Sequence, residues 1–401
     1  TYVRQSIARF IDMNKVKAVI GAGYGDEGKG MWVDYLVRKN PNSLVVRANG
    51  GAQVGHTVVD NGKRYIFSHL GSGTLRGAPT LFSRYAVINP CIFFKEVEGR
   101  NAGLEFKVYV ERETPVTTPY DMMINQIIER ERGVNRHGST GMGFGVTLDR
   151  MDDGVTLCYA DLYQDYEILK TKLNAVRSWC WSRLPDTATK TEKSVFEGEL
   201  NHFIDLCRKF YRNTTVWNNT FNEFDTVIFE NGQGLLLDQE YGIFPHVTRS
   251  NTGFRNIGKI LKRLGIFNQI EIDVYYLSRC YTTRHGAGPM AFEKTKLKGI
   301  RVKDETNIPN EFQGTLRIAP LNLEVMYDAI DWDRCSHPEG ASFNTVVTCC
   351  DQIISEDECY EYANYVDNDG ILNTVSTTEF IKRLSWEFDY QVSSPEGPII
   401  E

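Results

Sequence analysis

The stretch GAGYGDEGKG, residues Gly21–Gly30, places phosphate-binding groups and carboxylates in one short loop. Its glycines and Lys29 match the G-x-x-x-x-G-K spacing of a phosphate-binding loop, in which backbone N–H groups and a lysine hold phosphates. Gly30 stands where such a loop has a metal-binding Ser or Thr, and Asp26 and Glu27 add negative charge. Carboxylates repel phosphate, so a phosphate-binding loop that contains two of them must use them for something. The alternative is that this stretch is a structural turn that binds no phosphate.

Five further glycine-containing stretches carry polar side chains that could act on a ligand: residues 47–59, 137–145, 229–253, 282–289 and 310–317. His56, in the first, can donate a proton or stabilise a transferring phosphoryl group. Ser139 and Thr140 suit a monophosphate, since hydroxyl and amide groups both donate to phosphate oxygens. Each stretch taken alone also fits a structural turn.

The later stretches add groups that recognise bases and carboxylates. Gln233 carries an amide able to bind a base edge, and Thr248 lies in a second polar cluster. Arg317, with Thr315, could bind a carboxylate through its guanidinium group. A solvated surface arginine is the alternative at that position.

The segments before these stretches indicate how they are held. Buried strands are predicted at residues 16–20, 43–48, 84–90, 106–111, 225–230, 271–279 and 344–350. Helices are predicted at residues 28–39, 120–129, 163–181 and 192–211. Alternating strands and helices predict an α/β fold with a large, mainly parallel central sheet flanked by helices. We expect one domain over residues 13–401 with a helical insertion at about 150–215, and an extension or cloning remnant at residues 1–12.

Composition limits the function classes. The chain has 401 residues and a net charge of −7, which argues against a nucleic-acid partner. No apolar run approaches the ~18 residues of a membrane span, so no membrane partner is expected. The nine cysteines are scattered without a C-x-x-C pair, which argues against zinc or a disulfide framework. These features predict a cytoplasmic globular protein.

Taken together, six ordered motifs resemble those of the adenylosuccinate synthetase family. Gly21–Gly30 is similar to the family's G-x-x-x-G-D-E-G-K-G, Arg47–Thr57 to R-x-x-G-G-x-N-A-G-H-T, and Gly138–Gly145 to G-T-T-G-x-G-x-G. Phe229–Asp238 is similar to F-E-G-A-Q-G-x-L-L-D, Val247–Thr252 to V-T-S-S-N-T, and Thr282–Pro289 to S-T-R-x-G-x-G-P. The match runs from about residue 16 to residue 352 and weakens after residue 290.

This resemblance implies an NTP-dependent ligase that joins L-aspartate to C6 of a 6-oxopurine nucleoside monophosphate. It implies that Asp26 takes the N1 proton and, with the carbonyl of Gly55, ligates Mg²⁺. O6 then attacks the γ-phosphate, while His56 stabilises the transferring group and acts as general acid. Lys29 holds the triphosphate, and the aspartate amine displaces phosphate from the 6-phosphoryl intermediate. The two carboxylates would thus have a role in catalysis.

The resemblance also implies three ligand-binding sets and a homodimer. ATP or GTP is expected at Gly25, Glu27, Gly28, Lys29, Gly30, Gly55, Thr57 and Asp351. The purine monophosphate is expected at Asn49, Gln53, Ser139, Thr140, Arg150, Gln233 and Thr248, and L-aspartate at Thr315 and Arg317. Arg150 lies near the place of a family arginine that reaches the nucleotide phosphate of the neighbouring subunit.

The chain departs from the family pattern in four places. The arginine-rich aspartate loop is Gly314–Pro320 with one arginine, which hints at a deoxyribonucleotide. The guanine-reading T-K-L-D is Thr348–Asp351 without its lysine, so ATP becomes an option beside GTP. Gln53 replaces an asparagine of the family's IMP pocket, and Arg249 replaces a serine. The family's closing motif S-T-G-P-D-R is matched at best by Ser393–Gly397.

These departures resemble the viral and archaeal branch that makes 2-aminoadenylosuccinate from dGMP, although some of its members lack the aspartate that Asp26 matches. We therefore expect dGMP as the favoured substrate, with IMP or another purine nucleotide as alternatives. A nucleotide-binding regulator without ligase activity is a further alternative. Intact Asp26, His56 and Gln233 argue against a regulator, because a nucleotide switch needs no acid–base pair.

Overall fold

A ten-stranded sheet forms the centre of the computed structural model, which describes residues 15–303, 307, 314–354, 362–366, 372–392 and 399–400. Nine strands run parallel and the edge strand β17 is antiparallel. In spatial order the strands are β17 (Ile399–Ile400), β16 (Tyr390–Val392), β13 (Ser342–Thr348), β9 (Ile272–Arg279), β1 (Lys15–Gly21), β8 (Thr226–Gly234), β2 (Ser43–Arg47), β5 (Thr80–Phe82), β6 (Val108–Val110) and β7 (Thr215–Val216). This arrangement confirms the predicted α/β class.

Three small sheets lie outside the central one. They comprise the hairpin β3 (His56–Asp60) with β4 (Lys63–Phe67), the pair β10 (Thr282–Arg284) with β11 (Arg317–Ala319), and β12 (Leu321–Asn322) with β14 (Tyr362–Val366) and β15 (Leu372–Ser376).

The described residues form ten α-helices. These are α1 (Lys29–Lys39), α2 (Pro90–Lys95), α3 (Pro119–Arg132), α4 (Phe144–Asp152), α5 (Tyr166–Trp181), α6 (Lys190–Gly198), α7 (Leu200–Arg212), α8 (Arg255–Arg263), α9 (Leu323–Arg334) and α10 (Thr377–Glu387). None of the helices in these ranges is long and apolar enough to cross a membrane.

The central strand β1 shows why the sheet is buried on both faces. Ala18 and Ile20 pack in one apolar core, whereas Val19 packs in another with Trp32 and Val33 of α1. Successive side chains of a strand point to opposite faces, so both faces of the sheet are covered. A parallel sheet covered in this way leaves the ends of its strands as the place for a ligand.

Most predicted elements overlap observed ones, but two predictions were wrong. Residues 84–90 form no strand, because Asn89 accepts a hydrogen bond from the N–H of Ile92 and starts helix α2 with Pro90 at its first position. The strand in that region is β5, immediately before it. The helix predicted at residues 192–211 is two helices, α6 and α7, which separate at Glu199.

The predicted helical insertion at about 150–215 contains α5, α6 and α7. Their buried side chains, such as Leu169 and Phe203, share an apolar core with Phe93 of α2 and Val110 of β6. That the insertion at about 150–215 is a separate sub-domain stays a prediction. Residues 1–12 and the closing motif Ser393–Gly397 lie outside the described residues.

Candidate active site

A cleft of about 870 Å³ lies at the carboxyl ends of β1, β2, β8, β9 and β13. Such a volume accommodates small-molecule ligands. Most of the predicted site residues line this cleft: Gly25, Asp26, Glu27, Gly28, Lys29, Gly30, Gln53, Gly55, His56, Thr57, Ser139, Thr140, Gln233, Thr248 and Asp351. The structure therefore brings together loops that are up to about 300 residues apart in sequence, as expected for neighbouring parallel strands.

The two carboxylates of the first loop have different environments. The buried Glu27 carboxylate accepts hydrogen bonds from the N–H groups of Gly23 (3.1 Å) and Gly25 (2.7 Å) and pairs with Lys29. A Cβ atom added to Gly234 would lie 2.6 Å from a Glu27 oxygen, which explains that glycine. Glu27 is thus part of the internal structure of the loop and already neutralises Lys29.

Asp26 lies in the left-handed region (φ 65°), a backbone conformation that non-glycine residues rarely adopt outside turns and functional sites. Its Oδ2 lies 2.7 Å from Nε2 of His285, and its carbonyl accepts from Nε of Arg279. Burial acts to raise the pKa of Asp26, but the His285 hydrogen bond and the charges of His285, Arg279 and Lys29 outweigh it and lower the pKa. The carboxylate is therefore ionised and can accept a proton.

His56 is held by a buried carboxylate that sequence reasoning missed. Nδ1 of His56 lies 2.7 Å from Oε1 of Glu230, which also accepts from Ser72 and pairs with Arg47. Burial acts to raise the pKa of Glu230, but His56, Arg47 and Ser72 outweigh it and lower the pKa to about 2. The ionised carboxylate favours a proton on Nδ1 of the ring. Nε2 is buried, without a hydrogen-bond partner among the described residues.

Other side chains of the cleft also carry buried polar atoms for which the described residues offer no hydrogen-bond partner. Both amide atoms of Gln53, the hydroxyl of Thr57 and Oε1 of Gln233 are buried without hydrogen-bond partners in the described part of the chain. Buried polar groups are almost always hydrogen-bonded in native proteins. These atoms therefore indicate where a polar ligand binds.

The sequence signal for the missed residues was weak. Glu230 is a charged residue inside the apolar run of β8, Arg279 is the last residue of β9, and His285 lies in the glycine-containing stretch 282–289. A buried carboxylate or cation at the carboxyl end of a parallel strand is a candidate for function. Their partners lie 174 or more residues away in sequence, which no local pattern reveals.

Two residues that were predicted to bind a nucleotide, Arg150 and Asn49, do not line the cleft. Arg150 is fully buried, with Nε 2.8 Å from Oδ1 of Asp121 and further bonds to backbone carbonyls. A contact with a phosphate would require these bonds to break, and this role stays a prediction. Asn49 donates to the carbonyl of Gly232 (3.0 Å) and accepts from its N–H (2.7 Å). Its amide joins the loop after β2 to β8, and its contact with a purine monophosphate stays a prediction.

Arg150→Met tests whether Arg150 serves the fold or binds a phosphate. Removing one partner of a buried ion pair commonly costs about 3–5 kcal/mol, so we expect a loss of that size in the unfolding free energy. The nucleotide KM of the folded enzyme should change less than about 2-fold, because the guanidinium group of Arg150 is held by Asp121 and backbone carbonyls away from the cleft. Urea denaturation and steady-state kinetics measure the two quantities. A large rise in KM with unchanged stability would return Arg150 to the phosphate site.

The remaining predicted residues are partly engaged within the protein. The N–H groups of Gly138 and Ser139 donate to Glu129, and the Ser139 hydroxyl donates to Asn125. Thr315 and Arg317 do not line the cleft, and Arg317 forms a bidentate pair with Glu293. Binding of an aspartate carboxylate by Arg317 would require that pair to open, and this role stays a prediction.

Oxygen ligands for a hard cation are present in the cleft. The Asp26 carboxylate and the Gly55 carbonyl both line it, and Mg²⁺ is commonly held by one or two carboxylates together with substrate phosphates. Among the described residues no group of three or more His, Cys, Asp or Glu side chains could hold a metal alone. The donor set therefore fits Mg²⁺ that arrives with a nucleotide.

Comparison with known proteins identifies the family to which this chain belongs. The chain matches the adenylosuccinate synthetase family over residues 18–315. It is 29% identical over 352 residues to the adenylosuccinate synthetase of Borrelia turicatae, covering 80% of this chain and 75% of that protein. It is 33% identical over 282 residues to that of Streptomyces coelicolor, covering 69% and 64%.

Two solved structures share the fold. The fully ligated adenylosuccinate synthetase from Plasmodium falciparum superposes with a TM-score of 0.72 at 18% identity, covering 95% of this chain and 97% of that one. The succinoaminodeoxyadenylate synthetase of cyanophage S-2L, bound to dGMP and to dATP as an energy donor, superposes with a TM-score of 0.58 at 13% identity, covering 96% and 93%.

Proposed function

Because the chain belongs to the adenylosuccinate synthetase family and is therefore a carbon–nitrogen ligase, we propose that it joins L-aspartate to C6 of dGMP. The product would be 2-amino-2′-deoxyadenylosuccinate, a precursor of diaminopurine nucleotides. The reaction would use a nucleoside triphosphate and the acid–base pair at the carboxyl ends of β1 and β2. A homodimer and a cytoplasmic location are further expectations from the family.

One observation carries the chemical part of this proposal. An ionised carboxylate, Asp26, and a histidine, His56, both line one cleft of about 870 Å³, and each is held by a second charged group. Glu230 fixes the ring of His56, and Arg279 and His285 hold Asp26. Such support from neighbouring groups keeps catalytic side chains in a productive geometry.

In the proposed reaction the Asp26 carboxylate takes the proton from N1 of the purine. O6 then attacks the γ-phosphorus, and the nucleoside diphosphate leaves with the electrons of the broken P–O bond. Nε2 of His56 would face the transferring phosphoryl group and donate a proton to it from the doubly protonated ring; burial lowers the pKa of His56 and opposes that form, whereas the ionised Glu230 carboxylate favours it. The aspartate amine next attacks C6, the C6–O6 bond breaks as O6 departs with the phosphate, and the proton lost by the amine goes to that phosphate. Bound Mg²⁺ would neutralise the phosphate charge, held by Asp26 and the Gly55 carbonyl.

The rest of the cleft would divide between the two nucleotides. Gly25, Gly28, Gly30, Thr57 and Asp351 would lie on the triphosphate side. Lys29 would supply positive charge there once its pair with Glu27 opens. Gln53, Thr140, Gln233 and Thr248 would lie on the side of the purine monophosphate. Ser139 would reach the phosphate on that side once its hydroxyl is released by Asn125. Thr315 and Arg317 would reach L-aspartate only once Glu293 releases the arginine.

Two features support dGMP over IMP. The aspartate loop has a single arginine, Arg317, and that residue is engaged by Glu293. This removes the family's arginine contact to a ribose 2′-hydroxyl, and a deoxyribonucleotide needs none. The cyanophage enzyme of the same fold binds dGMP and dATP. The curated relatives are adenylosuccinate synthetases, so IMP with GTP is the second candidate.

Mass spectrometry of the products separates these candidates. The enzyme would be incubated with Mg²⁺, L-aspartate and either ATP or GTP, with dGMP and IMP in separate reactions. We expect succinylated product from dGMP at a kcat/KM at least about 10-fold above that for IMP, as for a substrate pair told apart by one or two hydrogen bonds. Product from IMP alone would contradict the dGMP assignment. No product from either would contradict ligase activity and favour a nucleotide-binding regulator.

A further inference from the structure

The monophosphate end of the cleft has no assigned cation. A nucleoside monophosphate carries about 1.5 to 2 negative charges at pH 7. The side chains expected to face it, Ser139, Thr140 and Thr248, are neutral, and Arg150 is buried away from the cleft. A dianionic phosphate in a confined site needs a positive partner, for which arginine has the best geometry.

Arg249 lies at this end of the cleft. It directly follows Thr248, and both line the cleft together with Asp149 of helix α4. Its guanidinium group pairs with Asp149 and with Asp152, also on α4. Arg249 therefore stands beside the predicted phosphate contacts on a loop separate from Ser139 and Thr140.

Neighbouring arginines are committed to structural contacts. Arg132 pairs with Glu129 at 2.6 Å, and the same Glu129 holds the N–H groups of Gly138 and Ser139. Arg284 is buried, lies over the ring of Tyr24 and donates to backbone carbonyls. Releasing either would disturb a loop or the core.

The partners of Arg249 can be exchanged at low cost. The side chains of Asp149 and Asp152 are 54% and 72% exposed, and that of Arg249 is 38% exposed. Exposed ion pairs contribute little because water competes for both charges. A phosphate brought by a bound nucleotide offers two or three acceptor oxygens, which a guanidinium can bind in a bidentate manner.

We propose that Arg249 is the cation that binds the phosphate of the nucleoside monophosphate, exchanging Asp149 and Asp152 for it when the nucleotide enters. The assignment rests on the proposed function in taking a nucleoside monophosphate as the ligand. It supplies the phosphate cation from within the chain, where the sequence pattern had suggested an arginine from a neighbouring subunit. Arg249 would set the preference for nucleotides over nucleosides.

Calorimetric binding to Arg249→Ala tests the proposal without relying on turnover. A hydrogen bond to a charged group is commonly worth about 1.5–3 kcal/mol, so we expect the dissociation constant of dGMP, or of IMP, to rise about 10- to 150-fold. The dissociation constant of ATP should change less than about 2-fold, because the triphosphate binds at the other end. Arg255→Ala is the matched control, since Arg255 pairs with Glu240 outside the cleft.

The double variant Asp149→Asn with Asp152→Asn distinguishes two roles of Arg249: binding the phosphate, or only holding its own loop against helix α4. Freed from its carboxylates, Arg249 should bind the nucleoside monophosphate as tightly as before or up to about 5-fold more tightly, the range of an exposed ion pair. If Arg249 only braces the loop, this variant and Arg249→Ala will both weaken binding, which overturns the proposal. Equal binding to wild type and Arg249→Ala, or no monophosphate binding by the wild type, also overturns it.

Ligase failure remains distinguishable from failure of this assignment. Selective weakening of monophosphate binding in Arg249→Ala supports the phosphate contact even if no succinylated product forms. Conversely, normal product formation with an unchanged monophosphate KM in Arg249→Ala contradicts the phosphate contact and leaves the ligase intact.

Discussion

Asp26→Asn is expected to lower kcat by about 10²–10⁴-fold, the usual contribution of a general base, while nucleotide dissociation constants change less than about 3-fold. Asparagine has nearly the same shape as aspartate but cannot take the N1 proton. Its amide also weakens the site for a divalent cation. Single-turnover kinetics together with calorimetric binding of each nucleotide measure chemistry and binding separately.

Asp273→Asn is the matched control. Asp273 pairs with Lys17 and bonds Ser342 near the amino end of β9, the end of the sheet opposite the cleft. We expect kcat to change less than about 2-fold, since a distant substitution should not affect the chemical step. A rate for Asp26→Asn within about 10-fold of the wild type would contradict the assignment of Asp26 as the base.

His56→Asn is expected to lower kcat by about 10²–10⁴-fold, because asparagine carries no proton to the transferring phosphoryl group. Glu230→Gln should also lower kcat, since Glu230 fixes the orientation of the ring. The second variant should in addition lose about 3–5 kcal/mol of unfolding free energy, because the buried Arg47 loses its partner.

Urea denaturation distinguishes the two roles. His56→Asn leaves the Glu230–Arg47 pair in place, so its unfolding free energy should fall less than that of Glu230→Gln. A near-normal kcat in His56→Asn would contradict the acid–base assignment. A near-normal kcat in Glu230→Gln, with the expected loss of stability, would show that Glu230 serves folding and not ring orientation.

Much of the fold could be predicted because its strands are short apolar runs that end in glycine-containing loops. Val16–Ile20 is an example, since a strand buried on both faces leaves an uninterrupted apolar segment. The segment 84–90 was misread because its alternation resembles a strand. The Asn89-Pro90 pair, a strong helix start, was the competing signal.

The loops of the candidate site could be predicted, but their supporting contacts could not. The loops follow strands, and parallel strands bring their carboxyl ends to one edge. Which charges pair there depends on residues far apart in sequence, as with His56 and Glu230 or Asp26 and His285. The buried pair of Arg150 with Asp121, on another helix, was missed for the same reason.

The question raised by two carboxylates in a phosphate-binding loop has a structural answer. Glu27 accepts from the N–H groups of Gly23 and Gly25 and pairs with Lys29, so it holds the loop in shape. Asp26 faces the cleft instead, held by Arg279 and His285. In the proposed function only Asp26 takes part in the chemistry.

Transfer of oxygen from the purine to phosphate tests the central claim most directly. A purine monophosphate labelled with ¹⁸O at O6, dGMP or IMP according to which forms product, would be incubated with L-aspartate, Mg²⁺ and an unlabelled triphosphate. The proposed reaction predicts one labelled oxygen in each phosphate released, in step with the succinylated product, because O6 departs with the phosphoryl group. Release of unlabelled phosphate, with the label retained in the nucleotide, would contradict it.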